Sequence, residues 1–516
     1  MSEQIQDTHA NSKRIAKNTM LLYFRMIFIM VVNLYTSRVI LRVLGAEDYG
    51  TYNVVGGIVT MLSFITASVS SAVSRFITFE LGKGEYGKAE HMFRCSCTIF
   101  YIFALIGFFL AETVGLWFVQ TQLNIPMGRE TAVFWVYQFS VLTFIISLIS
   151  VSYNALIIAK ERMNAFAYIS IYDGLARLGI LYLIAIMPFD RLIVYAALLA
   201  FVQLSVRIIY TIYCKRTFSD FNGRWLWDKE ISRQIFSYAG WTVSGHVAIV
   251  GYTQGINILL NIYFGPVVNA ARAIATQVQT ALAQFYANFQ TAIRPQVIKN
   301  YAQGNIDYMH QLVLNTGRIS FMLALLVSIP FLTYTEYVMN LWLANPPEHV
   351  VAFVRITMIA CISNSLSQHT IMAIHATGDL KKFQILEGGC LLLILPISWL
   401  TLKFFYVTPE FVILVYAVIE VLTQFVRVYV VYPKIGLPVK YFYIKILTPS
   451  IITLFVCSIP AVISYKYLYP SVFMSFVLNT MVLVFIECFI IYVFGLEKTE
   501  KQFIIRKLKT SNFINI

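Results

Sequence analysis

Residues 41–57 read LRVLGAEDYGTYNVVGG. Gly45 and Gly50 bracket Ala46, two acids, Glu47 and Asp48, and Tyr49; a long apolar run lies on each side, and Arg38 and Arg42 close the first. Two helices crossing the same layer need such an interruption. Glycine permits a tight reversal, and an acid opening the second helix meets the positive end of its dipole. The plain reading is therefore a turn and cap between two crossings, with Arg38 and Arg42 placed to pair with Glu47 or Asp48. The alternative is a part in gating an outer mouth.

The composition names the layer. Of 516 residues, 59% are hydrophobic and 12% are charged. A soluble surface needs about 25% charged residues, so most of this surface faces lipid. The seven cysteines, Cys95, Cys97, Cys214, Cys361, Cys390, Cys457 and Cys488, fall in apolar runs or at inner ends. No disulfide framework is expected. Cys95-x-Cys97 lacks a second pair at metal spacing, and no cofactor is expected. The first apolar run continues past the length of a signal-peptide core, which reads as an uncleaved first span.

A crossing helix needs about 20 apolar residues. Fourteen candidates follow, at 19–42, 50–80, 94–119, 131–158, 166–187, 190–213, 234–262, 266–293, 312–334, 351–375, 384–404, 409–431, 443–465 and 471–494. With the N-terminus inside, 24 Lys and Arg fall in inner segments and three, Arg129, Arg191 and Lys466, in outer ones. That asymmetry is the positive-inside signal, and it places both termini in the cytoplasm. It also absorbs most of the net charge of +14, leaving no case for nucleic acid. The outer loops are short, the longest running over 335–350, so there is no room for an outer catalytic domain.

An internal repeat is visible. Gly45 and Gly84 flank the second span, and Gly265 and Gly304 flank the eighth, each pair 39 apart and offset by 220; Arg75 and Arg294 stand in nearly the same register. Two six-helix lobes plus two helices follow: an inner N-terminal segment 1–18, an N-lobe 19–213, a linker 214–233 (CKRTFSDFNGRWLWDKEISR), a C-lobe 234–431, spans 13 and 14 within 432–494, and an inner tail 495–516. Parallel repeats of this kind mark transporters, with substrate between the halves. Trp225 and Trp227 of the linker read as interfacial anchors, and the basic tail as lying on the inner leaflet.

With fourteen spans in a 6+6+2 plan, SRVILRVLGAEDYGTYNVV (37–55) and GKGEYGKAE (82–90) resemble the polysaccharide-transporter branch of the MOP exporter superfamily. The resemblance covers nearly the whole chain. It implies an all-α, V-shaped, two-lobed carrier in the bacterial cytoplasmic membrane. Its substrate would be an undecaprenyl-pyrophosphate-linked oligosaccharide, moved to the outer leaflet by alternating access, with membrane lipids and other polysaccharide-assembly proteins as partners.

Polar stripes suggest where substrate would bind. In span 8, Asn269, Arg272, Thr276, Gln279, Tyr286 and Gln290 share one helical face. Span 7 offers His246, Thr253, Asn257 and Asn261; span 2 offers Asn53, Thr60, Ser63, Ser70 and Ser74; span 1 offers Arg25, Asn33 and Thr36. In the resembled superfamily these four spans flank the central cavity. Hydrogen bonding between helices is the competing reading. Arg25, Arg272 and Arg355 have no acid within four residues on their own helix, and a planar guanidinium matches phosphate oxygens. The candidate substrate residues are Arg25, Asn33, His246, Asn257, Arg272, Thr276, Gln279, Tyr286 and Arg355. Asp173 and Arg177 are spaced to pair, and Arg207, Arg318 and Arg427 read as snorkelling anchors. Among the buried acids Glu112, Asp173, Glu420 and Glu487, only Asp173 has an obvious partner. A cation-coupled multidrug antiporter is the second reading, wanting a buried acid in a lobe core, and a membrane glycan-assembly enzyme the third.

Overall fold

The computed structural model describes residues 18–33, 35, 36, 39, 43, 44, 48, 52, 63–122, 128–221, 223, 225–343, 346–497 and 500–502. Their regular structure is helical: α1 (Asn18–Asn33), α2 (Ser63–Lys83), α3 (Tyr86–Leu110), α4 (Leu116–Gln122), α5 (Glu130–Ala159), α6 (Met163–Ile186), α7 (Arg191–Thr217), α8 (Lys229–Phe264), α9 (Pro266–Ala302), α10 (Ile306–Thr333), α11 (Thr335–Leu343), α12 (Val350–Ser365), α13 (Gln368–Thr377), α14 (Lys381–Leu392), α15 (Ile394–Phe405), α16 (Pro409–Lys434), α17 (Thr448–Tyr467) and α18 (Phe473–Ile490).

Among the described residues, ten helical stretches are long and apolar enough to cross a membrane, and eleven if the bent pair α12–α13 counts as one. Of the fourteen expected spans, three fall outside this set. Only 16 residues of span 1 form its described helix, α1. Span 2 is described from Ser63 onward, as α2. Span 8, α9, has 37 residues and is too polar for the apolar set. Two boundaries also differ from expectation. The 335–350 outer loop contains a helix, α11, and span 10 breaks at Leu366–Ser367 with a bend of 41°.

The chain divides into two compact units. Unit 1 holds the chain to Val243 together with Arg294–Asn305; unit 2 holds Ser244–Ile293 and the chain from Ile306. In unit 1 the 30-residue α5, about 45 Å long at 1.5 Å per residue, packs against α2, α3, α6 and α7. Val119, Val136, Tyr137 and Leu192 centre one apolar core of this unit. The Ala111–Gly115 stretch after α3 is a π-helical turn, and the Tyr137 hydroxyl donates to the Ala111 carbonyl at 2.6 Å. In unit 2, α10 packs against α12, α13, α17 and α18, and α16 packs against α12 and α14. Ile256, Leu260, Phe353, Val412 and Ile413 lie at the centre of its core. The last two helices thus lean on α10.

The repeat is legible in backbone geometry. At the end of α2 the Gly84 N–H bonds the Leu81 carbonyl at 3.2 Å and the Glu85 N–H bonds Glu80 at 3.0 Å. At the end of α9, Gly304 bonds Tyr301 at 3.2 Å and Asn305 bonds Asn300 at 3.0 Å. Both are Schellman closures, with φ of +80° at Gly84 and +75° at Gly304, a backbone that only glycine adopts cheaply. Gly265 is also left-handed, at +84°. Gly45 lies outside the described residues.

Candidate functional site

Unit 1 contains a cavity of about 380 Å³. Its walls come from α2 (Ser70), α5 (Ser147, Ser150, Asn154), α6 (Ser170, Asp173) and α7 (Gln203, Tyr210). Four serines, two amides, a phenol and a carboxylate are an unusual lining among helices this apolar. Such groups are expensive to bury without partners. Several have them: Asn154 Nδ2 donates to the Tyr210 hydroxyl at 3.0 Å, and Ser170 Oγ to the Phe166 carbonyl at 2.8 Å. Arg25 reaches the same wall from α1. Its Nη1 donates to Ser170 Oγ at 3.3 Å, its guanidinium lies 4.6 Å from the Phe166 ring centroid, and its charge acts on Tyr210. The Asp173 carboxylate accepts from Arg177 Nε at 2.9 Å, the pair its spacing implied.

In unit 2 the expected stripe of α9 turns inward. Arg272 is 3% exposed. Its Nη1 donates to Thr357 Oγ1 at 3.3 Å, and its guanidinium lies 5.2 Å from the Tyr416 ring. Gln279 Nε2 donates to the Tyr416 hydroxyl at 2.7 Å, Tyr286 meets Cys361 Sγ at 3.6 Å, and Gln290 Nε2 donates to Ser320 Oγ at 3.3 Å. The face therefore packs on α10, α12 and α16 of its own unit. For these residues bonding between helices is the observed state. Thr276, the stripe's exposed member, bonds the Arg272 carbonyl.

The other face of α9 is the informative one. Ala273, Thr276, Gln277, Thr280, Ala281 and Gln284 are exposed, spaced by three and one in turn. Among the described residues of unit 2, helices α8, α12 and α14 through α18 expose large apolar side chains, and α9 exposes none. The Gln277 and Gln284 amides make no hydrogen bond among the described residues. A helix presenting free amides to hydrocarbon would be heavily penalised, so this face looks onto water or a polar ligand. The sequence carried the signal as a second stripe at helical spacing, overlapping the first at Thr276.

The remaining expected residues scatter. Asn33 is exposed at the end of α1. His246 is half-buried and lies within electrostatic reach of Glu387. Asn257 Nδ2 donates to Gln254 Oε1 at 3.3 Å. Arg355 lines a separate apolar groove. Asn53 and Thr60 lie outside the described residues, as do Arg38, Arg42 and Glu47 and the side chains of Ser63, Asn261 and Asn269.

Two anchors, Arg318 and Arg427, and two acids, Glu112 and Glu420, behave otherwise than expected. Arg427 does not snorkel: it is 4% exposed, and donates from Nε to Glu387 at 2.6 Å and from Nη1 to Glu420 at 3.3 Å and Gln424 at 2.8 Å. Asn364 Nδ2 also donates to Glu420, at 2.6 Å. Glu387 was missed by the sequence reading, though Glu420, Gln424 and Arg427 at steps of four and three share a face. Arg318, 2% exposed, pairs with Glu497 at 2.8 Å and Glu500 at 2.7 Å. Arg207 covers the Tyr153 ring at 4.2 Å. Glu112 accepts from Gln138 Nε2 at 3.1 Å. In each case a partner distant in sequence holds a charge that water would otherwise have to reach.

With this geometry in view, comparisons place the chain. The profile of the family described as polysaccharide biosynthesis protein matches residues 15–301. No curated protein matches the sequence. Among solved structures, a MATE transporter in a bent conformation aligns with a TM-score of 0.72 at 12% identity, covering 83% of this chain and 96% of its own. An outward-facing multidrug resistance MATE family transporter of the MOP superfamily aligns at 0.70 and 14%, with the same coverage. A Vibrio cholerae MATE transporter in a bent form aligns at 0.68 and 16%, covering 86% of this chain and all of its own. At such identities the likeness is one of fold, and the family match speaks to descent. The chain is a multi-pass integral membrane protein of the polysaccharide biosynthesis protein family, with a fold similar to that of MATE transporters.

Proposed function

We propose that the protein is a flippase carrying an undecaprenyl-pyrophosphate-linked oligosaccharide across the bacterial cytoplasmic membrane by alternating access, without covalent chemistry. The observation that carries this is the exposed face of α9, with Thr276, Gln277, Thr280 and Gln284 and, among the described residues, no exposed large apolar side chain. Amides and hydroxyls are what a glycan's own hydroxyls bond. The serine-, amide- and Tyr210-lined cavity of unit 1 supports the same class of ligand, and Arg25 beside it supplies a permanently charged group for phosphate. In this reading α1, α2 and α9 also cross the membrane, giving fourteen crossings with both termini inside, and the lobes, linker and tail follow the boundaries expected from the sequence. Partners would be lipids and other assembly proteins.

The cation-coupled multidrug antiporter has one observation in its favour: Glu387 and Glu420 share a single guanidinium deep in unit 2. The test separates the two readings. Lipid-linked oligosaccharides of the source cell are measured by mass spectrometry after deletion of the gene, with rescue by wild type, Arg25→Ala or Gln284→Trp. The flippase reading expects an undecaprenyl-pyrophosphate glycan to accumulate, relieved by wild type and at least tenfold less well by either variant. No accumulation, with cation-dependent drug efflux lost instead, would replace it by the antiporter.

A further inference from the structure

Unit 2 carries a second cavity, an open groove of about 530 Å³ between α10, α12 and α17. Its walls are aliphatic and aromatic: Phe321, Ile329 and Leu332 on α10, Ile359 and Ile362 on α12 with Leu366 just past its end, and Ile451, Leu454 and Val462 on α17. The proposed transport face on α9 contributes nothing to it. Among the described residues, one cation lines it, Arg355. Arg355 is half-buried, and among the described residues it has no ion pair or hydrogen bond. Glu336 is near enough to act with Arg355 on Tyr469, yet it lies beyond ion-pair distance of the guanidinium. A single uncompensated charge at one end of an apolar trough is complementary to an anionic headgroup on a hydrocarbon chain.

We infer that this groove binds one acyl chain of an anionic phospholipid, with the phosphate on Arg355. Dimensions favour a bilayer phospholipid over a polyprenyl carrier. From Arg355 to Leu366 is about 16 Å along α12 at 1.5 Å per residue, close to the roughly 15 Å of one leaflet's hydrocarbon. Arg355 lies about 8 Å into α12; Tyr465 also lines the groove, and Arg355 and Tyr465 both lie close enough to Tyr469 to act on it. Tyr465 contacts Tyr469 edge to face, their ring centroids 5.6 Å apart. Paired tyrosines of this kind mark the interfacial depth at which phosphates sit. Beyond Arg355 the lining offers only hydroxyls of serine, threonine and tyrosine, too few polar groups to hold the sugars of a glycan carrier. The lipid would fill a cleft that α17 leaves against α10 and α12, and so would support the docking of the C-terminal helices.

Native mass spectrometry of the purified full chain tests this, with titration of phosphatidylglycerol, phosphatidylethanolamine and undecaprenyl phosphate. Wild type is expected to retain one phosphatidylglycerol at least tenfold more tightly than phosphatidylethanolamine. Arg355→Ala is expected to abolish that preference. Leu454→Trp, which fills the groove without touching the charge, is expected to weaken both lipids and keeps the test open if Arg355→Ala fails to fold. Equal retention of the two lipids by wild type, or an intact preference in Arg355→Ala, would overturn the proposal. Displacement of phosphatidylglycerol by equimolar undecaprenyl phosphate would also overturn it and assign the groove to the transported carrier.

Discussion

The Nε of Arg129 donates to Oδ1 of Asp48 across 3.0 Å. The same guanidinium also pairs with Asp190, whose Oδ1 accepts from the Leu192 and Ile193 N–H groups at the start of α7. One arginine therefore ties Asp48 to the start of α7 in unit 1, and Asp48 is taken by a residue 81 positions away. Burial opposes the charge of Arg129, and its two carboxylate partners outweigh that and hold it protonated. Partly exposed pairs contribute little singly, about 0–1 kcal/mol, and a shared one somewhat more. Arg129→Ala is expected to lower the stability of the purified protein by about 1–2 kcal/mol, read as a fall in thermal midpoint. A double-mutant cycle with Asp48→Asn should show non-additivity; strict additivity would mean the pair contributes nothing.

Arg427 neutralises two carboxylates, those of Glu387 and Glu420, with little solvent to replace it. Removing one member of a buried ion network typically costs about 3–5 kcal/mol. Arg427→Met should give little monodisperse protein in size-exclusion chromatography, while Arg427→Met with Glu387→Gln and Glu420→Gln recovers it in part. Full recovery of yield by the single variant would show that water reaches these carboxylates.

The exposed face of α9 makes an accessibility prediction. Cysteines placed at Gln277 or Gln284 should react with a membrane-impermeant maleimide in intact cells or inverted vesicles. One placed at Ile258, 59% exposed on α8 and apolar, should not. Equal protection at all three positions would mean that the α9 face meets hydrocarbon.

Arg318 holds the segment after α18 through Glu497 and Glu500, and Lys445 bonds Glu497 at 3.0 Å. Burial alone would raise the Glu497 carboxyl. Lys445 and Arg318 outweigh it and hold the group below its ordinary value of 4.5. A carboxyl depressed by folding stabilises above its unfolded pKa, and that stabilisation disappears as pH falls through the folded value. Thermal midpoints should thus fall as pH drops below 4.5 in wild type. Glu497→Gln should start lower at pH 7 and show a smaller fall; an unchanged pH slope in that variant would remove Glu497 from the contact.

What the sequence by itself determined is what depends on neighbours along the chain. Apolar runs of membrane length set the helical class, because lipid leaves the backbone no partner but itself. Gly84, Gly265 and Gly304 marked turns because a left-handed residue is a local demand, met by glycine whatever packs around it. Asp173 and Arg177 paired as their i, i+4 spacing required. Only the tertiary structure decided partners and faces. Helical period told which residues of α9 lie together, but not whether Arg272, Gln279 and Tyr286 point into the unit or out of it. The sequence reading put them on a cavity wall, and they pack on α10, α12 and α16. Arg318 and Arg427 read as anchors near water because their partners, Glu500 at 182 positions and Glu387 at 40, are invisible to any local rule. A charge amid apolar residues must find either water or an opposite charge, and the choice rests on which helices pack against it.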